Sequence, residues 1–315
     1  MHSQCIFSIQ TPVGPPVEIT RHSFSPSSPK PGKRVSLITG LHGDELEGLY
    51  ICHRLMETLH NLEEQNALKG EVHVYPAVNP QALETGTRLW PFFSVDINRT
   101  FGENNIPSLP AETSRALLED IKSHSDLVVD FHASNLQLME LPQIRIIKDF
   151  EKKLVPLAQL CNVDLVWVHP NAGIFESTLG YNLNQAKIPT LVIESGICLR
   201  INKTFCDQIV LGILNLLEKT GTLNCPEPLA KVNPPRLLQP DHVIMIQSPN
   251  AGLFVKHAEV GQILKKGDKI GDLIDANQQR EEIRSHVSGL LFTLREHPVT
   301  GKGAPLARIA IEKPS

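Results

Sequence analysis

The chain has 315 residues, of which 41% are hydrophobic and 20% charged, a balance that suits a soluble protein with a sizeable core in one large domain or two ordinary ones. A net charge of -4 and the lack of any long basic run argue against a nucleic-acid partner, whose affinity would need a basic surface. No stretch reaches the about 20 apolar residues of a membrane span, and the N-terminal MHSQCIFSIQTPVGPPVEIT lacks the basic and apolar regions of a signal peptide, so no membrane association is expected.

In chain order, residues 4–23 read as short extended segments broken by TPVGPP, a hairpin suited to a sheet edge. RVSLITGL (34–41) is a continuous apolar run, as expected of a strand covered on both faces. Leu46, Leu49, Leu55, Met56 and Leu59 then recur at helical spacing over 46–60. EVHVYPAV (71–78) is a second buried strand, 111–123 a helix opening after Pro110, and SDLVVDFH (125–132) a third strand. A helix over 150–161 with Pro156 inside it, strands VDLVWVH (163–169) and IPTLVIES (188–195), and a helix over 203–219 complete an alternating α/β pattern. Such alternation implies a mostly parallel sheet with helices on both faces. From 221 the texture turns proline-rich and polar, as in a linker. Short apolar runs separated by glycines follow, giving a small all-β module over 240–315 in which VGQILKKGDKIGDLI and VSGLLFTLREHPVTGKGAPLARI look like two versions of one hairpin unit. The expected division is 1–222 and 240–315.

Ligands of open parallel sheets gather outside the carboxyl ends of the strands. His42, in GLHGDELEG, and His132, in VVDFH, both fall at such ends. Two histidines and one acid form an established catalytic zinc set. The His42-x-x-Glu45 spacing lets a tight turn aim both side chains at one ion, with Gly43 leaving the turn unobstructed. The plainer alternative is that these histidines are hydrogen-bonded structural residues and the acids helix caps. Asp44 and Glu47 suit cap or surface positions better than ligation. Arg88, Asn98 and Arg99 lie in RLWPFFSVDINRTFG, where a guanidinium and an amide could grip a carboxylate. Glu194 closes an apolar strand, where a carboxylate beside a metal could move a proton from water to a leaving amine. Asp130, two residues before His132 and on the same strand face, could orient it. The six cysteines (Cys5, Cys52, Cys161, Cys198, Cys206, Cys225) form no CxxC pair, which fits a reducing cytoplasm and disfavours a thiolate zinc site.

GLHGDELEG, NPQA, RLWPFFSVDINRTFG, VVDFH and VIESG, in this order, resemble the succinylglutamate desuccinylase/aspartoacylase family, deacylases built on the zinc-carboxypeptidase fold with a β module after the catalytic domain. The resemblance implies one Zn2+ per subunit held by His42, Glu45 and His132. It implies Glu194 as general base and acid, Arg88 polarising the scissile carbonyl, and Asn98 and Arg99 holding the substrate carboxylate. Two departures stand out. Gly102 replaces a frequent proline, and the segment 133–146, ASNLQLMELPQIRI, does not follow the aspartoacylase pattern. The residue reading the substrate side chain is therefore unassigned, with Arg145 and Arg200 candidates by charge. The β module also resembles the biotinyl/lipoyl-type hybrid barrel, but IDANQQREEIRS carries no lysine to modify, so its expected role is to narrow the site entrance.

The expected activity is hydrolysis of the amide bond of a small N-acyl amino acid. The alternatives are a metallocarboxypeptidase acting on short peptides and a catalytically inactive binding protein of the same fold. Whether the chain forms a homo-oligomer stays open.

Overall fold

The computed structural model describes residues 1–11, 13–27, 32–102 and 108–311. The first strands, β1 (His2–Ile9) and β2 (Val17–Phe24), pair antiparallel at the outer edge of the main sheet. β3 (Arg34–Thr39), α1 (Glu47–Glu64), β4 (Glu71–Tyr75), α2 (Pro80–Thr85), α3 (Leu109–His124) and β5 (Leu127–Ala133) follow. Then come β6 (Leu138–Ile147), α4 (Glu151–Ala158), β7 (Leu165–His169), α5 (Leu179–Gln185), β8 (Thr190–Gly196) and α6 (Lys203–Lys219). The sheet runs β1-β2-β4-β3-β5-β8-β6. Its centre, β4-β3-β5-β8, is parallel, and β2 and β6 flank it antiparallel.

Both faces of that centre are buried, which is why its strands read as unbroken apolar runs. On one face Val35, Leu37, Val129, Phe131, Leu191 and Ile193 join Leu55 of α1 and Ile213 of α6 in one cluster. On the other, Ile38, Tyr75 and Val128 join Leu117 and Ile121 of α3 and Leu179 and Leu183 of α5. Side chains alternate along a strand, so the chain that buries Val129, Phe131, Leu191 and Ile193 on the first face turns Asp130, His132, Val192 and Glu194 to the second. There they line a cavity.

The remainder is β9 (Arg236–Leu238), β10 (Val243–Gln247), β11 (Gly252–Lys256), β12 (Ile263–Leu264), β13 (Lys269–Ile274), β14 (Arg280–Arg284), β15 (Gly289–Arg295), β16 (Val299–Thr300) and β17 (Pro305–Ala310). β14-β13-β11-β16 form a separate four-stranded antiparallel sheet. The tip joining β13 to β14, 275–279, carries no lysine. β15, β17 and β10 instead extend the main sheet, because β15 pairs with β6 through Thr293↔Glu140, Leu294↔Met139 and Arg295↔Leu138. The linker is not structureless: β9 lies parallel to β7. β6, β9, α2 and α5 are elements that the sequence pattern did not announce. No helix among the described residues is long and apolar enough to cross a membrane.

Candidate metal and active site

The turn after β3 carries His42 and Glu45, and β5 carries His132; all three are buried. The imidazoles lie 5.2 Å apart between ring centres. Each presents Nδ1 to a different oxygen of one carboxylate: His42 Nδ1 is 2.7 Å from Glu45 Oε1, and His132 Nδ1 is 2.8 Å from Glu45 Oε2. One donor atom from each of the three side chains falls within 4.8 Å of the others. Gly43 is required here, since a Cβ would come within 1.9 Å of the Ala82 backbone.

The far nitrogens are also held. His42 Nε2 is 3.0 Å from Asp96 Oδ1, and His132 Nε2 is 3.1 Å from Asp130 Oδ2. A carboxylate behind each imidazole holds the ring with Nδ1 turned inward, the orientation expected of metal-ligating histidines. The charges lean the same way. Burial pushes the His42 and His132 pKa values down, but the carboxylates of Glu45, Asp96 and Asp130 outweigh it and hold both above the ordinary histidine value. Burial likewise opposes ionisation of Glu45, yet the two imidazoles hold it well below the usual carboxylate range. The cage is thus rich in carboxylate and favours positive charge at its centre. Donor types, burial and supporting hydrogen bonds together fit a zinc ion.

Asp44, Glu45 and Cys198 form a second group within ligand distance. Burial drives the Cys198 thiol strongly up, and its Sγ donates to Ser134 O at 2.7 Å. Neither Asp44 nor Cys198 lines the cavity that His42, Glu45 and His132 share, so the histidine set is the better site. Asp44 and Glu47 are not surface caps: both are buried. Glu47 opens α1, but its carboxylate accepts from Ser195 Oγ and, at 2.9 Å, from Asn202 N, so it ties α1 to the end of β8 and the start of α6.

Around the cage, Arg88 donates to Glu45 Oε1 and to Asp96 Oδ2, both at 3.1 Å. Asn98 is buried, with Oδ1 accepting from Leu179 N at 2.9 Å, which leaves its amide N–H groups to donate. Arg99 is exposed and donates to Asn98 O at 2.7 Å; it makes no ion pair with a described residue. Glu194 lies opposite His132 in the β5–β8 register. Burial pushes its carboxyl above the ordinary value, and Arg145, 3.2 Å away, pulls it only part of the way back.

His42, Glu45, His132, Arg88, Asn98, Arg99, Glu194 and Arg145 all line one cavity of about 510 Å³. Arg200 does not; it is exposed and lines a different groove. Four contributors escaped the sequence reading. Asp96 sits in the quoted motif SVDINR, and its position two residues before Asn98 was the available signal. Glu140 is buried and accepts from Arg145 Nη2 at 2.6 Å, Gln143 Nε2 at 2.9 Å and Arg308 Nη1 at 2.7 Å. Arg308 comes from β17 and reaches the cavity with its guanidinium 5.7 Å over the Trp167 ring. His169 stacks on Trp167, and burial together with Arg145 and Arg308 pushes its pKa down to about 4.

A family model described as the succinylglutamate desuccinylase/aspartoacylase catalytic domain matches residues 31–220. Among solved structures, a succinylglutamate desuccinylase from a Silicibacter species has a TM-score of 0.81 at 19% identity, covering 99% of this chain and 95% of its own. A succinylglutamate desuccinylase/aspartoacylase from Rhodobacter sphaeroides has a TM-score of 0.79 at 22% identity, with 99% and 96% covered. The product-bound ectoine utilization protein EutE of Ruegeria pomeroyi has a TM-score of 0.77 at 19% identity, with 95% and 90% covered. At these identities the likeness is one of fold. No curated protein matches the chain.

Proposed function

The chain belongs to the succinylglutamate desuccinylase/aspartoacylase family, a family of deacylases, and on that premise we propose that it is a zinc-dependent hydrolase cleaving the amide bond of a small N-acyl amino acid. The observation that carries this reading is the meeting of two inward Nδ1 atoms and one carboxylate in a cavity that also contains Glu194. His42, Glu45 and His132 would hold the ion. When bound, it supplies Lewis acidity, which makes water acidic enough to attack near neutral pH and polarises a carbonyl.

The protein's own groups then divide the remaining work. A substrate carboxylate meets the Arg99 guanidinium and the Asn98 amide, which aligns the scissile amide with Glu194. Glu194 takes the proton of the attacking water on a carboxylate oxygen. Set opposite His132 on the neighbouring strand, it can hold that proton and return it to the leaving amine nitrogen. Arg88 donates to the oxygen that gains charge as the tetrahedral centre forms, a type of contact whose loss costs roughly 10²–10³ in rate. The catalytic part spans residues 1–222, the β domain spans 240–315, and the latter lends Arg308 to the cavity wall. All six cysteines carry free thiols, which suits a cytoplasmic enzyme.

Glu194→Gln tests the reading. The variant is expected to keep its zinc, measured by elemental analysis, and to lose at least about 10²-fold in kcat on N-acyl amino acids, the lower end expected for a general base. Unchanged turnover removes Glu194 from the role. Preferred turnover of short peptides by the unaltered enzyme instead makes it a carboxypeptidase, and zinc binding with no turnover of either class makes it a binding protein.

A further inference from the structure

The cavity has two ends of different chemistry. At one end lie the zinc cage, Glu194 and the arginines; at the other lie Val192, Tyr181, Phe150, Phe175 and Ile147. Phe150 and Tyr181 meet edge to face, with centres 5.9 Å apart, and form one wall. Val192 is the floor, one step along the same face of β8 from Glu194. Gly180 allows α5 to lie close over it: a Cβ there would stand 2.9 Å from Val192 Cγ2.

Most polar groups at this end are spent on the fold; the exception is His169, opposite Ile147 and 6.2 Å from Phe175 between ring centres, whose Nε2 is buried without a hydrogen-bond partner among the described residues. Asn184 Nδ2 donates to Gly180 O at 2.8 Å and Thr190 O at 3.0 Å, while its Oδ1 accepts from Thr190 N at 3.0 Å. Thr190 Oγ1 donates to Ile188 O at 3.1 Å, and Thr178 Oγ1 donates to Phe175 O at 2.7 Å. No carboxylate or ammonium group among the described residues lines this recess, and Arg145, opposite Val192 in the β6–β8 register, turns its guanidinium away to Glu194 and Glu140.

The cations nearest to it are already matched. Arg145 pairs with Glu194 and Glu140, and Arg308 pairs with Glu140. Two guanidinium charges therefore face two carboxylates. Arg145 Nε and Arg308 Nε are buried without partners, but they belong to cations whose charge is balanced. A second substrate carboxylate brought to them would be buried with no net positive charge to receive it, which is costly. Arg99, which makes no ion pair with a described residue, is left for a single carboxylate. Its neighbour Asn98 is bonded to Leu179, the first residue of the helix that bears Tyr181, which sets Asn98 and Arg99 beside the recess.

Building on the deacylase reading, we propose that this chain selects N-acyl amino acids with a bulky, uncharged, aromatic side chain, which fills the recess between Val192, Tyr181, Phe150 and Phe175. The dicarboxylate products of the reactions in the family's name would be poorly held here.

The test uses the zinc-loaded full-length protein and two readouts. In calorimetry, L-phenylalanine, the amino acid that such a reaction releases, should bind at least about tenfold more tightly than L-alanine or L-aspartate, the range in which apolar pockets discriminate. In kinetics, kcat/KM for N-acetyl-L-phenylalanine should exceed that for N-acetyl-L-alanine and N-acetyl-L-aspartate by a similar factor. Tyr181→Lys should cut phenylalanine binding and raise aspartate binding, and Phe175→Lys, in the loop before α5, provides the same comparison if the first variant does not fold. Equal or tighter binding of aspartate by the unaltered protein, with N-acetylaspartate the better substrate, overturns the recess and leaves the deacylase standing. Tight phenylalanine binding without hydrolysis of any N-acyl amino acid supports the recess and removes the deacylase. Absence of both binding and hydrolysis removes both.

Discussion

Asp130 and Asp96 govern what the two imidazoles can do. Each takes up the Nε2 of one histidine, at 3.1 and 3.0 Å, and so leaves Nδ1 turned toward Glu45, where the proposed zinc would sit. Removing that support frees the ring to rotate and lets the wrong nitrogen lose its proton. Asp130→Ala is therefore expected to weaken zinc binding by about 10- to 100-fold, read by competition with a chelator of known affinity. Asp130→Asn keeps an oxygen acceptor and should recover part of the loss; equal affinities in all three proteins would leave Asp130 a structural acid. The logic of legibility is visible at the same scale. His42, His132 and Glu194 stood out because each interrupts or ends an apolar run. Asp96 sits in an irregular turn where an acid is ordinary. Glu140 and Arg308 are separated by 168 residues and have meaning only as a pair.

At the scale of the element, the strands of the parallel centre were disclosed as apolar runs because both of their faces are buried. β6 escaped because LMELPQIRII mixes apolar residues with Glu140, Gln143 and Arg145 and carries Pro142, which argues against a central strand. The fold accommodates this with an irregularity in the β6–β8 register between Glu140 and Gln143. Its charged residues are tolerable because they face the site and one another. α5, LGYNLNQ, has little apolar periodicity over 7 residues, and its start is set by the Thr178 cap rather than by hydrophobic pattern. The junction of α1 with β8 was also hidden. Gly196 ends β8 at a φ of +62°, and a Cβ there would lie 2.1 Å from Glu47 Oε1. Gly196→Ala must both adopt a left-handed backbone and displace a buried carboxylate from Ser195 and Asn202. A destabilisation of about 2–5 kcal/mol is expected, from the sum of those two costs. Calorimetric unfolding checks it, and a melting temperature within a degree of the parent would show that Glu47 moves aside freely.

Over the whole molecule, the sequence signalled two parts, yet the hydrogen bonding runs between them. β15 extends the main sheet from β6, and Leu290, Phe292 and Ala310 close a cluster with Leu141, Leu165 and Leu238. Arg308 and Thr293 complete the shell of Glu140. A fragment ending at residue 222 would lose β9, β15 and β17 together. β6 and β7 would each present an open edge, Leu141 and Leu165 would face water, and Glu140 would keep only Arg145 and Gln143. Stripping a partner from a buried ion pair costs about 3–5 kcal/mol. That is a large share of the roughly 5–15 kcal/mol by which domains are stable, before the lost apolar cover is counted. Open edges of this kind also template aggregation. The 1–222 fragment is therefore expected to be insoluble, or to lack a cooperative thermal transition, rather than to behave as a smaller deacylase. A soluble fragment with a sharp transition and bound zinc would mean that the catalytic sheet is self-sufficient and that β15 merely rests on its edge.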